Sequence, residues 1–169
     1  MVILKSDLPK LPTLVCDTRE KHAFDFEGDE DFAGIIHEKL DAGDYSLKGF
    51  EHVVVIERKA NADELYNNFT QNKARIFAEF ERLRDHKIKV MVIEQSCEDI
   101  MNPLNYYINK KGLNTKDIRM PAAVVVTNLN ILIVEYGVQV IFAGSKARSM
   151  TKNILLAAYK AIRQGKLSW

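Results

Sequence analysis

The stretch VVVIERKANAD, residues Val53 to Asp63, places an apolar run directly before a group of charged residues. Three valines and an isoleucine in succession are typical of a buried β-strand. Side chains alternate between the two faces of a strand, so Glu57 and Lys59 share one face while Arg58 points to the other. A solvated edge strand is the alternative, but it would not require the apolar run. The sequence therefore predicts a buried strand that presents Glu57 and Lys59 together at its C-terminal end.

A second short strand precedes this one and carries another carboxylate. The segments DYSL and VVVIERK are joined by KGFEH, which predicts a β-hairpin with Asp44 on the strand beside Glu57 and Lys59. Mg²⁺ prefers oxygen ligands and keeps several waters, so two or three carboxylates suffice when a phosphate supplies another ligand. A lysine beside them can stabilise the charge that develops on phosphorus. This set of residues predicts phosphodiester hydrolysis.

Further charged residues are placed to join this group. Asp17 and Glu20, in CDTRE, follow the apolar run TLVC, which predicts another buried strand. Asp63 falls in the first turn of the following helix, where an acid also favours the helix dipole and caps free amides, so that both interpretations stay open. Arg19 and Arg58 fit either phosphate binding or ion pairs that separate the acids.

Strands alternate with helices along the chain, which predicts an α/β fold with a central mixed β-sheet flanked by helices. At 169 residues the chain has the length of one domain, predicted to span 1–169. Residues 96–120 show neither period and predict an insertion loop with room for a short helix. Pro121 suits the first position of a helix because the missing donor has no partner there. Hydrophobic spacing predicts helices at 29–40, 62–86, 121–136 and 146–164, and strands at 89–94 and 138–144.

Charge is unevenly distributed although the net charge is only +1. Five acids occur within residues 25–31, whereas the segment after Glu135 has no acid and six lysines and arginines. A basic segment favours contact with phosphates, and Lys146, Arg148 and Lys152 are candidates for that contact.

The polar stretch NYYINKKG, residues 105–112, offers a second group of candidates. Tyr106 or Tyr107 could stack on a base while Lys110 and Lys111 contact phosphates, as in proteins that bind single strands. A packed polar loop with one buried tyrosine explains the same residues equally well.

Composition limits the cellular setting. The two cysteines, Cys16 and Cys97, have no metal-like spacing, and we expect reduced thiols. The N-terminal apolar run is too short for a signal peptide, and no later stretch reaches the roughly 20 apolar residues that span a bilayer. We therefore expect a soluble intracellular protein without a membrane partner.

The pair GD at 43–44, followed by ERKANAD at 57–63, resembles the GD…ERKxxxD signature of the XPF family of structure-specific DNA endonucleases, the group that includes archaeal Hef. VCDTRE at 15–20 resembles the first strand of that family with its Asp-x-Arg-Glu. The segments ARIFAEFERL at 74–83, KVMVIE and YGVQVIFAG are similar to later elements. The resemblance covers residues 13–163, with the GD…ERKxxxD pattern as its most specific part.

The resemblance implies a restriction-endonuclease-like nuclease fold that hydrolyses DNA near branch points such as flaps and forks. Mg²⁺ would be the cofactor, and Mn²⁺ would substitute for it. Asp44 and Glu57 would be metal ligands, with Asp17 as a third, and Lys59 would be the catalytic lysine. The other implied site residues are Glu20 and Arg58 in catalytic roles, and Asp63 and Arg75 in supporting ones. The phosphate-binding candidates named above become candidates for DNA binding.

Family members usually continue into a tandem helix-hairpin-helix domain that grips duplex DNA. The sequence stops at Trp169 without one, so we expect a recruiting protein to take its place. Nuclease domains of the family pair through their C-terminal part. The apolar residues of 121–136 and of 154–156 agree with a homodimer formed through residues 121–169. The alternative is that both helices are simply core.

Two other functions remain open. One is a non-catalytic DNA-binding or scaffolding subunit, since the family contains partners that have lost their catalytic residues. The intact GD…ERKxxxD pattern argues against it. The other is a restriction-type nuclease that cuts plain duplex at a recognised sequence, although the chain has no evident base-reading element.

Overall fold

The computed structural model describes residues 8–102 and 122–168. Its strands form a six-stranded sheet in the order β2-β1-β3-β4-β5-β6. The strands are β1 (Thr13–Asp17), β2 (Gly34–Glu38), β3 (Tyr45–Leu47), β4 (Val54–Lys59), β5 (Ile88–Ile93) and β6 (Gln139–Phe142). The helices are α1 (Ala62–Phe69), α2 (Lys73–Arg82), α3 (Cys97–Met101), α4 (Ala122–Tyr136) and α5 (Ala147–Arg163), with a 3₁₀ turn at Gly144–Lys146.

The sheet is mixed, as the sequence predicts. β3 runs antiparallel to both of its neighbours, β1 and β4, whereas β2 is parallel to β1, and β5 and β6 continue parallel to β4. The N-terminal end of β3 therefore lies beside the C-terminal ends of β1 and β4. Residues that precede β3 meet residues that end β1 and β4 at one place in the molecule.

Helices cover both faces of the sheet, and the alternation of side chains along β4 assigns each residue to a face. Val54 and Ile56 pack in a core with Leu155 and Ile162 of α5. Val55 packs in the second core, which includes buried residues of α1, α2, α3 and α4. Glu57 and Lys59 follow Val55 in the alternation, so they point toward the layer of α1 and α2.

The predicted helix at 29–40 is wrong. Strand β2 occupies Gly34–Glu38 instead and pairs in parallel with β1, with Ile35 opposite Leu14 and Ile36 opposite Val15. The apolar residues satisfy a helical spacing, but Ile35 and Ile36 are adjacent and β-branched, which suits a strand. Pairing with the buried strand β1 decides between the two, because the backbone groups of β1 need partners on that side.

The predicted long helix at 62–86 is divided into α1 and α2. Thr70 is the C-cap of α1, and its hydroxyl donates to the carbonyl of Tyr66 at 2.8 Å. Side chains that bond their own backbone in this way compete with continued helix. The break allows Phe69 of α1 and Ile76 of α2 to reach the same core.

The remaining predicted elements agree with the structure to within a few residues at their ends. Pro121 and most of the predicted insertion loop at 96–120 lie outside the described residues, but α3 occupies the start of that loop, with Ser96 as its N-cap. Both cysteines are free thiols, with Cys16 buried and Cys97 exposed. In the described parts of the chain, no helix has the length and apolar character needed to cross a membrane.

Candidate active site

The charged residues predicted from the hairpin meet where β1, β3 and β4 come together. The backbone N–H of Asp17 donates to the carbonyl of Asp44 at 2.8 Å, and the N–H of Asp44 donates to the carbonyl of Ile56 at 2.8 Å. The N–H of Arg58 donates to Asp44 Oδ2 at 2.7 Å. Asp44 is thus fixed between two strands through its backbone and its side chain.

Glu57 and Lys59 form a buried ion pair on the α1–α2 side of β4. Lys59 Nζ lies 2.5 Å from Glu57 Oε1, and each residue is only 5% exposed. The second carboxylate oxygen, Glu57 Oε2, is buried without a hydrogen-bond partner among the described residues. A buried acceptor without a partner is unfavourable for folding alone, so this oxygen is a candidate ligand position.

The pKa values of Asp44, Glu57 and Lys59 are all shifted from their usual values. Burial and the neighbouring charge of Glu57 raise the pKa of Asp44 well above its usual value. Burial also raises the pKa of Glu57, although the Lys59 ammonium opposes that effect. Burial alone would lower the pKa of Lys59, but the carboxylates of Glu57 and Glu64 outweigh it and raise that pKa above its usual value. Lys59 therefore stays protonated at neutral pH, and a bound cation would offset the unfavourable ionisation of the two carboxylates.

Glu64 is a member of the site that the sequence analysis missed. Its carboxylate lies 3.3 Å from Lys59 Nζ and accepts the N–H of Ala60 at 2.9 Å. The N-cap Asn61 accepts the N–H of Glu64 at 3.0 Å. This arrangement is a variant of the capping box in which Glu64 accepts the N–H of Ala60, the residue before the N-cap, and the spacing N-x-x-E at 61–64 is its sequence signal. These hydrogen bonds therefore hold a partner for Lys59 at the start of α1.

A polar cavity of about 450 Å³ opens beside these residues. Among the residues predicted for the site, Asp17, Glu20, Asp44, Glu57, Lys59 and Arg75 line this cavity. The lining also contains Arg19, which the sequence analysis left open as a phosphate binder or an ion-pair partner, and Glu79 and Arg82, which it did not assign to the site. Arg75, Glu79 and Arg82 recur on one stripe of α2, and that spacing is the signal that could have placed them together.

Asp17 is held differently from Asp44 and Glu57. Its carboxylate accepts hydrogen bonds from the backbone and guanidinium of Arg19 and from the N–H of Leu40, at 2.7 to 2.8 Å. These bonds outweigh the opposing effect of burial and lower the pKa of Asp17 below its usual value. A metal ion bound by Asp17 would have to displace Arg19, so the assignment of Asp17 as a ligand stays a prediction.

Arg58 lies on the opposite face of β4, as the alternation predicts. Its guanidinium stacks over the ring of Phe24, with 5.1 Å between the guanidinium carbon and the ring centroid. It forms ion pairs with Glu94 and, at 3.5 Å, with Glu20. Arg58 therefore reaches the cavity only through Glu20, which lines it.

Asp63 is exposed in the first turn of α1 and lies outside the lining of the cavity. This position agrees with the interpretation of Asp63 as an acid that favours the helix dipole. Its supporting role in catalysis stays a prediction.

Two of the residues predicted to contact phosphates form ion pairs with acids of this chain. Arg148 Nη2 lies 3.3 Å from Asp29 Oδ2, and Lys152 Nζ lies 3.1 Å from the same oxygen and 2.8 Å from Asp31 Oδ2. The acidic segment 25–31 thus pairs with the basic helix α5. Lys146 is exposed, whereas Lys110, Lys111, Tyr106 and Tyr107 lie outside the described residues.

A larger groove of about 660 Å³ lies at the far end of β1, between the segment Lys10–Pro12 and the end of α5. Its charged residues are Lys10, Lys160 and Arg163 with Asp31 as the acid. Its one carboxylate is already paired with Lys152, so the smaller cavity, with several carboxylates, is the stronger candidate for an active site.

The smaller cavity fits a hard divalent cation. Glu57 Oε2 has no hydrogen-bond partner within residues 8–102 and 122–168, and Asp44 and Glu57 destabilise each other as anions. Among the residues that the structure describes, no three His, Cys, Asp or Glu side chains form a ready metal cluster. Mg²⁺ binds proteins through one or two carboxylates together with waters and substrate phosphates, so a pair of carboxylates is a suitable protein contribution.

The fold defined by these elements is a restriction-endonuclease-like α/β nuclease fold. It is similar to that of XPF from Aeropyrum pernix, solved in a complex with DNA, with a TM-score of 0.58 and 17% sequence identity over 88% of this chain. A second structure of XPF from Aeropyrum pernix gives a TM-score of 0.56 at 16% identity. The chain therefore has an XPF-like nuclease-domain fold.

At this identity the likeness shows the fold alone, and the chain spans 65% and 64% of the length of those two solved chains. No family model and no curated protein sequence matches the chain.

Proposed function

We propose that this chain is a metal-dependent DNA endonuclease that hydrolyses phosphodiester bonds at branched DNA, in flaps and forks. The observation that carries the proposal is the buried pair of Glu57 and Lys59 beside Asp44, next to a polar cavity. In the part of the chain that the structure describes, Glu57 Oε2 has no hydrogen-bond partner. A stable core would not contain two carboxylates and an ammonium in this arrangement without a use for them.

In this proposal Asp44 and Glu57 hold Mg²⁺, for which Mn²⁺ can substitute. The cation, when bound, supplies Lewis-acid activation of water and of the phosphate. Lys59 is kept protonated by Glu57 and Glu64, so it acts as a donor to the negative charge that develops in the transition state and does not act as a base. Glu64 and Glu57 hold its ammonium in place.

Binding of DNA is supported by the arginines at the cavity and by the likeness to an XPF solved with DNA. Arg19, Arg75 and Arg82 line the cavity beside the acids, where they can contact phosphates next to the scissile bond. Lys146 on the 3₁₀ turn is an additional candidate. Arg148 and Lys152 would bind DNA only by giving up their contacts with Asp29.

The preference for branched DNA rests on the resemblance to the XPF family. Contacts to phosphates alone carry little sequence information, so we expect little sequence dependence and a strong dependence on salt. A partner protein that recruits the enzyme to DNA is part of the proposal.

The test is cleavage by the purified full chain with Mg²⁺. Asp44→Asn, Glu57→Gln and Lys59→Ala should each reduce the rate on the order of a thousandfold or more, because each removes transition-state stabilisation worth several kcal/mol. Glu81→Gln, an exposed carboxylate on α2, is the matched control and should cleave like the wild type. Near wild-type turnover by any of the three variants would contradict its role.

The substrate is tested by comparing a labelled flap or fork with a linear duplex of the same sequence, at equal concentration and salt. Faster cleavage of the branched substrate is expected. Equal rates, or cutting at one short sequence, would favour a restriction-type nuclease. DNA binding without cleavage would favour a non-catalytic subunit.

A further inference from the structure

The position of Asp44 depends on a short turn formed by Gly43 and Asp44, here called the Gly43–Asp44 turn. The groups of Asp44 itself are bonded to β1 and β4, through the N–H of Asp17, the carbonyl of Ile56 and the N–H of Arg58. The backbone N–H of Gly43 is the remaining donor of the turn, and its partner comes from another layer of the molecule.

Gly43 is pressed against β4. Its φ is +80°, and a Cβ at this residue would lie 2.2 Å from Val55 Cγ2 and 3.3 Å from the carbonyl oxygen of Ile56. A positive φ together with this close approach requires glycine. Glycine gives the turn more conformational freedom than any other residue would, so a bond that restrains it affects where Asp44 lies.

The N–H of Gly43 donates to Glu79 Oε1 at 3.2 Å, across 36 positions of the sequence. Glu79 stands on α2, and the neighbouring Ile76 and Phe80 are each 1% exposed in the core. The helix therefore cannot move toward or away from the sheet without disturbing that core. The hydrogen bond connects a fixed helix to the turn that carries Asp44.

We propose that Glu79 is a positioning residue that restrains the Gly43–Asp44 turn through this hydrogen bond and thereby fixes the carboxylate of Asp44 in the cavity. The inference rests on the proposed function for its effect on the reaction, but the restraint itself is independent of it. The carbonyl oxygen of a glutamine can accept the same hydrogen bond, so the role requires an acceptor and does not require the negative charge.

The experiment compares Glu79→Ala, Glu79→Gln and the control Glu81→Ala, a removal of an exposed carboxylate from the same helix. Two quantities are measured on the full chain: cleavage with Mg²⁺, as separate kcat and KM, and the hydrogen-exchange rate of the Gly43 amide by NMR without metal or DNA. The exchange rate reports the restraint whether or not the chain cleaves DNA.

In Glu79→Ala we expect faster exchange at Gly43 and a kcat lowered about 10- to 100-fold, since a misplacement of about 1 Å has effects of that size. KM should stay near the wild-type value because the arginines of the cavity are unchanged. Glu79→Gln and Glu81→Ala should resemble the wild type in both measurements.

Two results would overturn the proposal. Unchanged exchange at Gly43 in Glu79→Ala would show that the hydrogen bond does not restrain the turn. A loss of activity in Glu79→Gln as large as in Glu79→Ala would show that the charge of Glu79 is needed instead. Absence of cleavage by the wild type would contradict the proposed function, and the exchange rates would then decide the restraint alone.

Discussion

The carboxylates of Asp44 and Glu57 are held where ionisation is unfavourable. Burial raises the pKa of both groups, and the charge of Glu57 raises that of Asp44 further. Residues selected for stability alone would not be arranged in this way, because each buried anion costs free energy that its contacts only partly offset. This arrangement agrees with the proposed catalytic role of the two carboxylates, which would account for residues that lower the stability of the fold.

The unfavourable ionisation of buried Asp44 gives a prediction for Asp44→Asn. The amide keeps an oxygen that can accept the N–H of Arg58, but it carries no charge beside Glu57. We expect the free energy of unfolding without metal at neutral pH to rise by roughly 1 kcal/mol, while cleavage is lost. Chemical denaturation in EDTA measures it, with Asp41→Asn as an exposed control. A variant less stable than the wild type would contradict the assigned role of burial.

Asp29 shows the opposite behaviour and gives a prediction for pH. Although partial burial opposes it, the hydrogen bond from Lys152 and the charge of Arg148 lower the pKa of Asp29 below its usual value of 3.8. A lowered pKa stabilises the folded state above the ordinary pKa, and the stabilisation is lost as pH falls through the folded-state pKa. Asp29→Asn should therefore cost about 1 kcal/mol at neutral pH and nothing in strong acid.

Chemical denaturation of Asp29→Asn and of the wild type, from neutral pH to strong acid, tests whether the loss of stability disappears as the pH falls. Glu30→Gln is the matched control, since it removes a neighbouring exposed carboxylate. If the difference in unfolding free energy between Asp29→Asn and the wild type stayed constant as the pH fell through the folded-state pKa of Asp29, the ion pairs of Asp29 would contribute nothing to stability.

Among the elements, the hairpin of β3 and β4 is predicted best. Val53–Ile56 is apolar on both faces because β4 pairs with a strand on each side and is covered by helices on each face. The unbroken apolar run in the sequence indicates this burial directly. The segment 29–40 is predicted wrongly because its choice between helix and strand depends on β1, a partner distant in the sequence. The division of 62–86 into α1 and α2 depends on Thr70 and on the core that both helices share.

The Gly43–Asp44 turn gives a prediction at this scale. Gly43→Ala places a side chain on a residue with positive φ and against Val55. Gly49→Ala places one on a residue with a φ of +84°, where no atom of the described residues lies within 4 Å of the new methyl group. We expect Gly49→Ala to cost about 1–2 kcal/mol and Gly43→Ala a further 1–3 kcal/mol. Equal costs in thermal or urea unfolding would show that the turn is not pressed against β4.

For the whole molecule, the open question is whether two copies pair. Val125, Leu129 and Leu132 of α4 are buried, as the interpretation of this helix as core requires. Ile133 and Val134 on the same helix are 45% and 81% exposed. This exposed pair of large apolar residues on α4, together with β6 at the edge of the sheet, supports the prediction of a homodimer through residues 121–169.

Light scattering at micromolar concentration should give twice the chain mass of 19.3 kDa. Val134→Lys should shift the mass toward the monomer, because a buried lysine at a contact would be unpaired. Met101→Lys, which replaces an exposed apolar residue outside the predicted interface, is the control. A wild-type mass near that of one chain would exclude the dimer.

The sequence by itself determines the α/β class, the buried strand β4 and the placement of Asp44 beside Glu57 and Lys59. These depend on alternation along a strand and on one hairpin, which are contacts between residues close in the chain. Only the tertiary structure forms the hydrogen bond between Glu79 and Gly43 and the hydrogen bonds of Arg19 and Leu40 to Asp17. It also forms the ion pairs between the acidic segment 25–31 and α5. Glu79–Gly43, Asp17–Leu40 and the contacts of segment 25–31 with α5 join residues more than 20 positions apart, and no local pattern encodes such pairs, because their geometry is set by how the helices pack on the sheet.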